Sequence, residues 1–491
     1  MRSLASFILV PMIALASAAG CVKNPATGER QLSLISEQQE IALGQQAREE
    51  AVQSLGLYDS KGIQEYVSAI GKKLAASSER PNLPWSFQVI DDASVNAFAL
   101  PGGPIFVTRG ILTHLNSEAE LAAVVGHEIG HVTARHSVNM ISKQQLAQLG
   151  LGVGSLFLPQ NLRGLGQLAG AGLGLLFLKY GREAESQADE LGFRYALKDG
   201  YDVRATRNLF VTLERVGAGQ GQGRLPEWLS THPNPENRLK ATDERLAKLK
   251  QVDFSKLQTN RDGYLDTLQH VVFGENPRNG FFRGNTFLHP ELRFQFTFPS
   301  GWKAANQPGA VTGVGPRQDA GIQLAAAGNL SPEQAAQKFY AMPGVRRGDA
   351  QLGAINSLPA VAGYFTAQTE QGVLAGIVSF ISYGGKTFQV VAYTPAERLS
   401  AHDAEFRRAI GTFGPLTDPA ALGVQPARLE IVKLPREMSL AEANAQFPST
   451  VPIETVALIN GAMAQTRLPA GIRFKRVTGG TPASATTSSR E

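Results

Sequence analysis

The stretch 126–131 constrains the fold of this chain more than any other part of its sequence. It reads Gly-His-Glu-Ile-Gly-His and so contains the pattern H-E-x-x-H, with His127 and His131 four residues apart. Residues four apart share one face of an α-helix, so the two imidazoles meet at one point only if this stretch is helical. Two such imidazoles with a glutamate beside them are typical of a zinc site that activates water.

The flanks of the motif also predict a helix. Leu121, Val125 and Ile129 repeat at helical spacing, and Ser117 and Glu120 match a capping box that would begin the helix. The pattern predicts His127 and His131 as zinc ligands. It also predicts that Glu128 is the catalytic general base, which takes a proton from water activated by the metal.

A catalytic zinc needs a third protein ligand and one open position. A third histidine of the type H-E-x-x-H-x-x-G-x-x-H is excluded, because Ala134 and Ser137 occupy the glycine and histidine places. His136 is one residue short of that place, and we expect it to pack or to form a hydrogen bond.

A carboxylate on a second predicted helix, 183–197, is the better candidate. Glu185 would complete a set of two histidines and one glutamate, although spacing alone does not separate it from Glu183. Asp189 lies four residues further on the same helix face and could accept the far ring N–H of a liganding histidine.

These motifs resemble the zinc metalloprotease family that includes BepA, HtpX and the CAAX prenyl endopeptidase. Besides 126–131, the resemblance rests on Tyr-Gly-Arg-Glu-Ala-Glu-Ser-Gln-Ala-Asp at 180–189, and on the stretches 95–103 and 231–238. It implies a zinc-dependent endopeptidase with one Zn²⁺ per chain, in which Glu185 is the third ligand and Asp189 supports the ligands.

Two neighbouring stretches leave alternatives open. The backbone of 96–100 could pair with an extended substrate, or it could be an ordinary hairpin strand. His232 and Arg238 could stabilise an oxyanion, which would make His232 a catalytic residue. His232 could instead occupy the open zinc position in a resting state, or both residues could be structural.

The N-terminus predicts export. Arg2 is followed by an apolar run over 4–16, by Ala-Ala-Gly at 18–20 and by Cys21, which is the only cysteine of the chain. This order resembles a bacterial lipobox, and Val22 resembles the residue that sorts lipoproteins to the outer membrane. We therefore expect a periplasmic protein held at the outer membrane by a lipid on Cys21; the alternative is an ordinary cleaved signal.

Length and pattern predict an α+β multidomain protein, because 491 residues exceed one hydrophobic core. We expect a signal peptide at 1–20, a mainly helical zinc metalloprotease domain with a small sheet at 21–280, and an α/β accessory domain at 281–416. A small βααβ domain at 427–477 and a disordered tail at 478–491 would follow. The apolar stretch 149–178 predicts two buried helices or a membrane-dipping element.

The C-terminal half contains no catalytic pattern of its own. Residues 287–416 resemble a sandwich of the PsbP and Mog type, in which we expect the isolated His289 and His402 to be structural. Residues 428–477 resemble a divergent LysM module, a module that binds peptidoglycan, although no Gly-Asp precedes Ser439.

Charge and motifs together rank the functions. A net charge of +5 without a dense basic block gives no reason to expect nucleic acid as a partner. The leading hypothesis is an endopeptidase that processes or degrades envelope proteins, with peptidoglycan as a possible further partner. The alternatives are a cell-wall-binding lipoprotein with a chaperone-like role and, last, a zinc amidase acting on peptidoglycan.

Overall fold

The computed structural model describes residues 21–151, 179–219, 228, 232, 235–307, 309–369 and 372–480. The predicted signal peptide, the apolar stretch from 152 to 178 and the tail from 481 lie outside the described residues. The fold mixes helices with several sheets, and it divides into two compact units. No helix within the described ranges is long and apolar enough to cross a membrane.

The first unit contains the chain up to Gly274 and, after an interruption, Arg428–Thr478. The helices of its first part are α1 Glu37–Leu55, α2 Lys61–Ala76, α3 Arg109–His114, α4 Glu118–Thr133, α5 His136–Leu151, α6 Arg182–Lys198, α7 Ala205–Gly219, α8 Pro235–Lys248 and α9 Arg261–Thr267. Apolar residues at helical spacing over 36–76 predict helical structure, and the structure has two helices there, α1 and α2. The first ends at Gly56, whose φ of 71° favours glycine.

A three-stranded sheet lies beside these helices. Strands β1 (Cys21–Lys23) and β2 (Arg30–Leu32) form a separate hairpin, and β3 (Ser86–Ile90), β4 (Ala97–Ala99) and β5 (Pro104–Thr108) form the sheet in the order β3-β5-β4. Strands β3 and β5 are parallel, whereas β4 runs antiparallel to β5 at an edge of the sheet. The sequence pattern predicts strands at 86–90 and 105–108, and the structure has β3 and β5 there to within one residue.

The capping box predicted before α4 is only half right. The Ser117 side chain accepts a hydrogen bond from the Glu120 N–H, as expected. The Glu120 carboxylate, however, accepts from the Asn116 N–H at 2.7 Å and not from Ser117. The Glu120 amide in the first turn of α4 and the Asn116 amide just before the helix are both satisfied, so the helix begins where the sequence predicts.

A buried ion network joins α1 to the far end of α4. Glu40 on α1 is 1% exposed and receives Arg80 at 2.8 Å and Arg135 at 2.9 Å. Arg80 also donates to the carbonyl of Val132, in the last turn of α4. Arg135 has a φ of 55°, an unfavourable value for a residue with a side chain, and its ion pair with Glu40 holds it there.

The second unit, Glu275–Ala427, is mainly β-structure. Its elements are β6 Phe281–Arg283, β7 Thr286–His289, β8 Phe294–Thr297, β9 Lys303–Gln307, β10 Ala310–Val314, β11 Gly321–Ala326, α10 Pro332–Tyr340, β12 Val345–Ile355, β13 Leu358–Thr369, β14 Gly372–Tyr383, β15 Lys386–Pro395, α11 Leu399–Ile410, β16 Gly414–Pro415 and α12 Pro419–Leu422. A seven-stranded antiparallel sheet has the order β12-β13-β14-β15-β11-β10-β9, and a four-stranded sheet has the order β16-β8-β7-β6.

Both faces of the seven-stranded sheet are covered. Phe339 of α10 packs with Val378 and Phe380 in one core, and Phe406 of α11 packs with Ile377 in another. The two isolated histidines have local partners: His289 accepts a hydrogen bond from the Leu292 N–H, and His402 stacks on Phe406.

The chain then returns to the first unit with β17 Ala427–Lys433, β18 Met438–Ser439, α13 Leu440–Gln446, α14 Ile453–Ile459, β19 Arg467–Leu468 and β20 Arg473–Gly479. Strand β17 pairs with β20, so the predicted order strand, helix, helix, strand is present. Lys475 of β20 is fully buried and donates to the carbonyls of Thr113 and Leu115, just before α4. Arg261 of α9 donates to the Arg473 carbonyl, which adds a second contact to the same strand.

Candidate metal centre

Close packing of two helices creates the centre. Helix α4 is buried along nearly its whole length, and its Gly126 and Gly130 lie against the backbone of α6. A Cβ on Gly130 would lie 2.9 Å from the Ala188 carbonyl oxygen, and one on Gly192 would lie 2.6 Å from the His127 nitrogen. Larger residues at these positions would separate the helices, so the glycines bring the α6 carboxylates to the α4 histidines.

Four side chains converge between these helices. One donor atom from each of His127, His131, Glu185 and His232 lies within 4.8 Å of the others, and all four residues are buried. The Nε2 atoms of His127 and His131 are 3.0 Å apart, and each lies 3.5 Å from an oxygen of Glu185. The group therefore offers imidazole and carboxylate donors to a divalent cation.

Of the two glutamates left open by spacing, only one reaches the cluster. Glu185 is 2% exposed and in contact with both histidines, whereas Glu183 is exposed on α6. The two positions differ by about 200° around the helix, so they face in nearly opposite directions.

Asp189 and Arg238 form a buried pair behind the cluster. Arg238 of α8 donates two hydrogen bonds to Asp189, at 2.7 and 2.9 Å, and its Nη1 lies 3.3 Å from Glu185. Although burial opposes it, Arg238 and His127 hold the pKa of Asp189 well below its usual range. Asp189 Oδ1 lies 2.9 Å from His127 Nδ1 and accepts its proton, which leaves Nε2 of His127 directed into the cluster.

Burial keeps the histidines neutral. Burial and the nearby Arg238 lower the pKa of His127 to about 4. Burial and the adjacent imidazoles likewise lower the pKa of His131 well below its usual value. A neutral imidazole has a free lone pair, which is the form that binds a metal.

Glu128 is the most enclosed carboxylate of the site. It is 0% exposed; the backbone N–H of Ala99 faces its carboxylate, and His232 Nε2 lies 3.7 Å from its Oε1. Burial and the neighbouring Glu185 raise the pKa of Glu128 well above its usual value, although the Ala99 N–H opposes this. A buried carboxylate beside a donor cluster is suited to exchange protons with a bound molecule.

His232 lies inside the cluster itself. Its Nδ1 is 2.9 Å from Glu185 Oε1 and 3.3 Å from His127 Nε2, and its Nε2 is 3.7 Å from Glu128. Trp228 packs against the His232 ring with centroids 4.3 Å apart. The sequence motif predicts that His232 lies near the site. In the structure its ring lies directly beside the donor atoms of Glu185 and His127.

Sequence reasoning missed several contributors. Tyr180 stacks on the His131 ring at 4.0 Å, and Trp228 lies 5.5 Å from the His127 ring. His136 was expected to pack or to form a hydrogen bond, and it does both: its Nδ1 lies 2.9 Å from His131 Nδ1. Arg238 was considered for an oxyanion, whereas its donors contact Asp189 and Glu185. Tyr180 and Trp228 lie far in sequence from the histidines that they contact, and a spacing pattern contains no signal for such contacts.

Comparison with known proteins gives a family match for part of the chain. Residues 63–246 match the model of peptidase family M48. The beta-barrel assembly-enhancing protease of Yersinia pestis is 33% identical over 237 residues, which cover 46% of this chain and 48% of that protein. The mitochondrial metalloendopeptidase OMA1 of Schizosaccharomyces pombe is 33% identical over 229 residues, covering 45% and 65%. The chain thus spans about half to two thirds of these relatives' own lengths.

Among solved structures, the solution structure of cyanobacterial PsbP from Synechocystis is 12% identical in sequence to this chain. The match covers 26% of this chain and 91% of the PsbP chain. Its TM-score of 0.24 is too low to establish a shared fold. The matched segment 63–246 contains every residue of the donor cluster. The resemblance of the sequence motifs to the metalloprotease family is therefore confirmed. Residues 63–246 therefore match a peptidase family M48 domain, and over this part the chain is similar to proteins named as metalloendopeptidases.

Proposed function

We propose that the chain is a zinc-dependent endopeptidase that binds one zinc ion and hydrolyses peptide bonds in proteins of the cell envelope. The observation that carries this proposal is the buried set of His127, His131 and Glu185 with Glu128 beside it. Two histidines and one carboxylate are a ligand set of catalytic zinc, which leaves a position for substrate or water.

Each residue has a distinct role in the proposed reaction. When bound, zinc supplies Lewis acidity that polarises the scissile carbonyl and acidifies the attacking water. Glu128 takes the proton of that water and delivers it to the leaving amine. Asp189 fixes the tautomer of His127, and Arg238 holds Asp189 ionised and in place.

The protein environment determines how well Glu128 performs this step. Its pKa is raised by burial, so it is a stronger base than an exposed glutamate once it has lost its proton. The site excludes bulk water around it, which strengthens each electrostatic contact. Transfer of one proton at a fixed position is therefore the main chemical task of the chain's own residues.

The edge strand β4 offers a place for the substrate. Strand β4 pairs with β5 on one side only within the sheet order β3-β5-β4, and it lies next to α4. An extended peptide could add to this edge by backbone hydrogen bonds, which would bring its scissile bond to Glu128.

We further propose that His232 marks a resting state. Its Nδ1 lies 2.9 Å from Glu185 Oε1, within hydrogen-bond distance. The ring would therefore fill the position that a substrate carbonyl needs. Replacing His232 by alanine is therefore expected to raise the rate of casein cleavage by the zinc-loaded protein. Initial rates beside those of His270→Asn, an exposed position outside the site, measure the effect. A fall in rate at full zinc content would instead make His232 a participant in catalysis.

The envelope is proposed from the N-terminus and from the names of relatives. The predicted lipid on Cys21 would hold the protein at the outer membrane, and one similar protein is named for enhancing β-barrel assembly. A protease anchored at the outer membrane would meet envelope proteins, which we therefore propose as its substrates. Binding of peptidoglycan by 428–477 remains part of this proposal, on the LysM-like pattern alone. The intact donor cluster favours catalysis over the chaperone-like alternative.

Metal content and cleavage of casein test the proposed activity. The purified protein is expected to hold one zinc per chain and to cleave casein, to lose cleavage with EDTA and to regain it when zinc is returned. Glu185→Ala is expected to lose the metal and the activity together, because one of three ligands is gone. A wild-type protein that binds no zinc, or that cleaves without it, would contradict the proposal.

A further inference from the structure

The two histidines of α4, His127 and His131, differ in the side chains that hold their Nδ1 atoms. His127 donates to a carboxylate, Asp189, at 2.9 Å. His131 has a neutral partner: its Nδ1 lies 2.9 Å from Nδ1 of His136, a residue that is 8% exposed. Behind His136, its Nε2 lies 3.1 Å from Oε1 of Gln187. The amide nitrogen of Gln187 then lies 3.4 Å from the Glu29 carboxylate, a longer and weaker contact.

These contacts form a row from His131 through His136 and Gln187 to Glu29. The direction of each hydrogen bond in the row follows from the tautomer of His131. His131 directs Nε2 at the other donors, so Nε2 must keep its lone pair and the ring proton must be on Nδ1. That proton is donated to Nδ1 of His136, which is therefore an acceptor. A neutral His136 with a free Nδ1 carries its proton on Nε2 and donates it to Gln187. The remaining NH₂ of Gln187 points to Glu29, in agreement with this order.

Stacking fixes the plane of the same ring. Tyr180 lies parallel to His131, with centroids 4.0 Å apart and an angle of 22° between the planes. The Tyr180 hydroxyl is itself held 2.7 Å from the Ser137 hydroxyl. The ring of His131 therefore cannot turn without losing both the stack and the hydrogen bond to His136.

We propose that His136 is a positioning residue for the metal: as a neutral acceptor it holds the tautomer of His131 that binds zinc, and Gln187 holds the tautomer of His136. This inference rests on the proposed zinc site. It assigns His136 and Gln187 a role in metal affinity although neither belongs to the donor cluster.

Zinc affinity, measured by competition with a chromophoric chelator on the full chain, tests the proposal. His136→Leu removes the acceptor and is expected to weaken zinc binding about 10- to 100-fold, the usual effect of losing such a partner. His136→Asn places an amide oxygen near the former Nδ1 and is expected to restore most of the affinity. His402→Leu, a buried histidine of the second unit, is the control and is expected to bind zinc as the wild type does.

Gln187 provides a test that does not depend on a core substitution. Gln187→Leu removes the acceptor of the His136 proton and is expected to weaken zinc binding, by less than His136→Leu does. Gln187→Glu offers a stronger acceptor and is expected to keep or increase the affinity. The melting temperature of each zinc-free variant reports whether its fold is intact.

The outcomes separate this inference from the proposed function. Wild-type affinity in both His136→Leu and Gln187→Leu would overturn the positioning role while leaving the zinc site standing. Equal losses in His136→Leu and His136→Asn would also overturn it, because a merely structural position would not be rescued by an acceptor. A wild-type protein that binds no zinc would instead reject the function on which the inference depends.

Discussion

Replacing Glu128 by glutamine is expected to lower kcat for casein by about 10²- to 10⁴-fold, the usual contribution of a general base. The amide has the same shape as the carboxylate but cannot take the proton of the attacking water. It is also neutral, like the protonated carboxyl that burial favours, so the fold and the zinc content should be unchanged. Steady-state rates and metal analysis of one preparation measure both quantities.

Glu183→Gln is the matched control for this experiment. It makes the same chemical change on a neighbouring helix at an exposed position outside the donor cluster, and wild-type kcat is expected. If Glu128→Gln retained more than about a tenth of the wild-type kcat, the base would have to be another group. A loss of zinc in Glu128→Gln would show that Glu128 acts on the metal site itself.

Replacing Glu40 by alanine is expected to destabilise the first unit by about 3–5 kcal/mol, the usual cost of leaving buried charge without its partner. Glu40 is 1% exposed and is shared by Arg80 and Arg135, whose side chains are 5% and 7% exposed. Without it, two buried guanidinium groups lose their main partner. Arg135 would also lose the contact that holds its backbone at a φ of 55°.

Glu37→Ala tests whether burial is the cause. Glu37 also pairs with Arg80, at 3.0 Å, but its side chain is 65% exposed. An exposed ion pair contributes about 0–1 kcal/mol, so a small change in the free energy of unfolding is expected. Urea unfolding curves of both variants provide the comparison. Equal destabilisation by the two substitutions would mean that the network gains nothing from being buried.

The sequence was informative where chemistry depends on spacing along one helix. Four-residue spacing places His127 and His131 on one face, and the same spacing pairs Glu185 with Asp189. Spacing along a helix shows which residues share a face of that helix, but it does not show which other element the face contacts. That Glu185 and not Glu183 reaches the histidines follows from packing of α4 on α6, which depends on glycines whose role becomes visible only when both helices are placed.

Contacts between segments that are distant in the sequence could not be predicted from the sequence, for similar reasons. The pair Glu40–Arg80 joins positions 40 residues apart, and no periodic pattern marks either of them. Arg238 was correctly placed near the site by its motif, but a motif does not say whether a guanidinium faces a substrate or a buried aspartate. Of the long strands, the sequence pattern predicts 360–368 in β13, 376–383 in β14 and 387–393 in β15. It does not predict β12, because this mainly exposed strand lacks a regular alternation of apolar residues.

The buried Lys475 has a consequence for the order in which the protein can mature. Strand β20, whose Lys475 donates to two carbonyls just before α4, is synthesised only after the whole second unit, an insertion of roughly 150 residues whose closure as a loop carries an entropic cost. A growing chain therefore lacks these two hydrogen bonds until synthesis has passed Lys475. Premature termination before β20, or a cut that frees it, would remove the Lys475 hydrogen bonds at the start of the helix that carries the histidines, while leaving each histidine in place in the sequence.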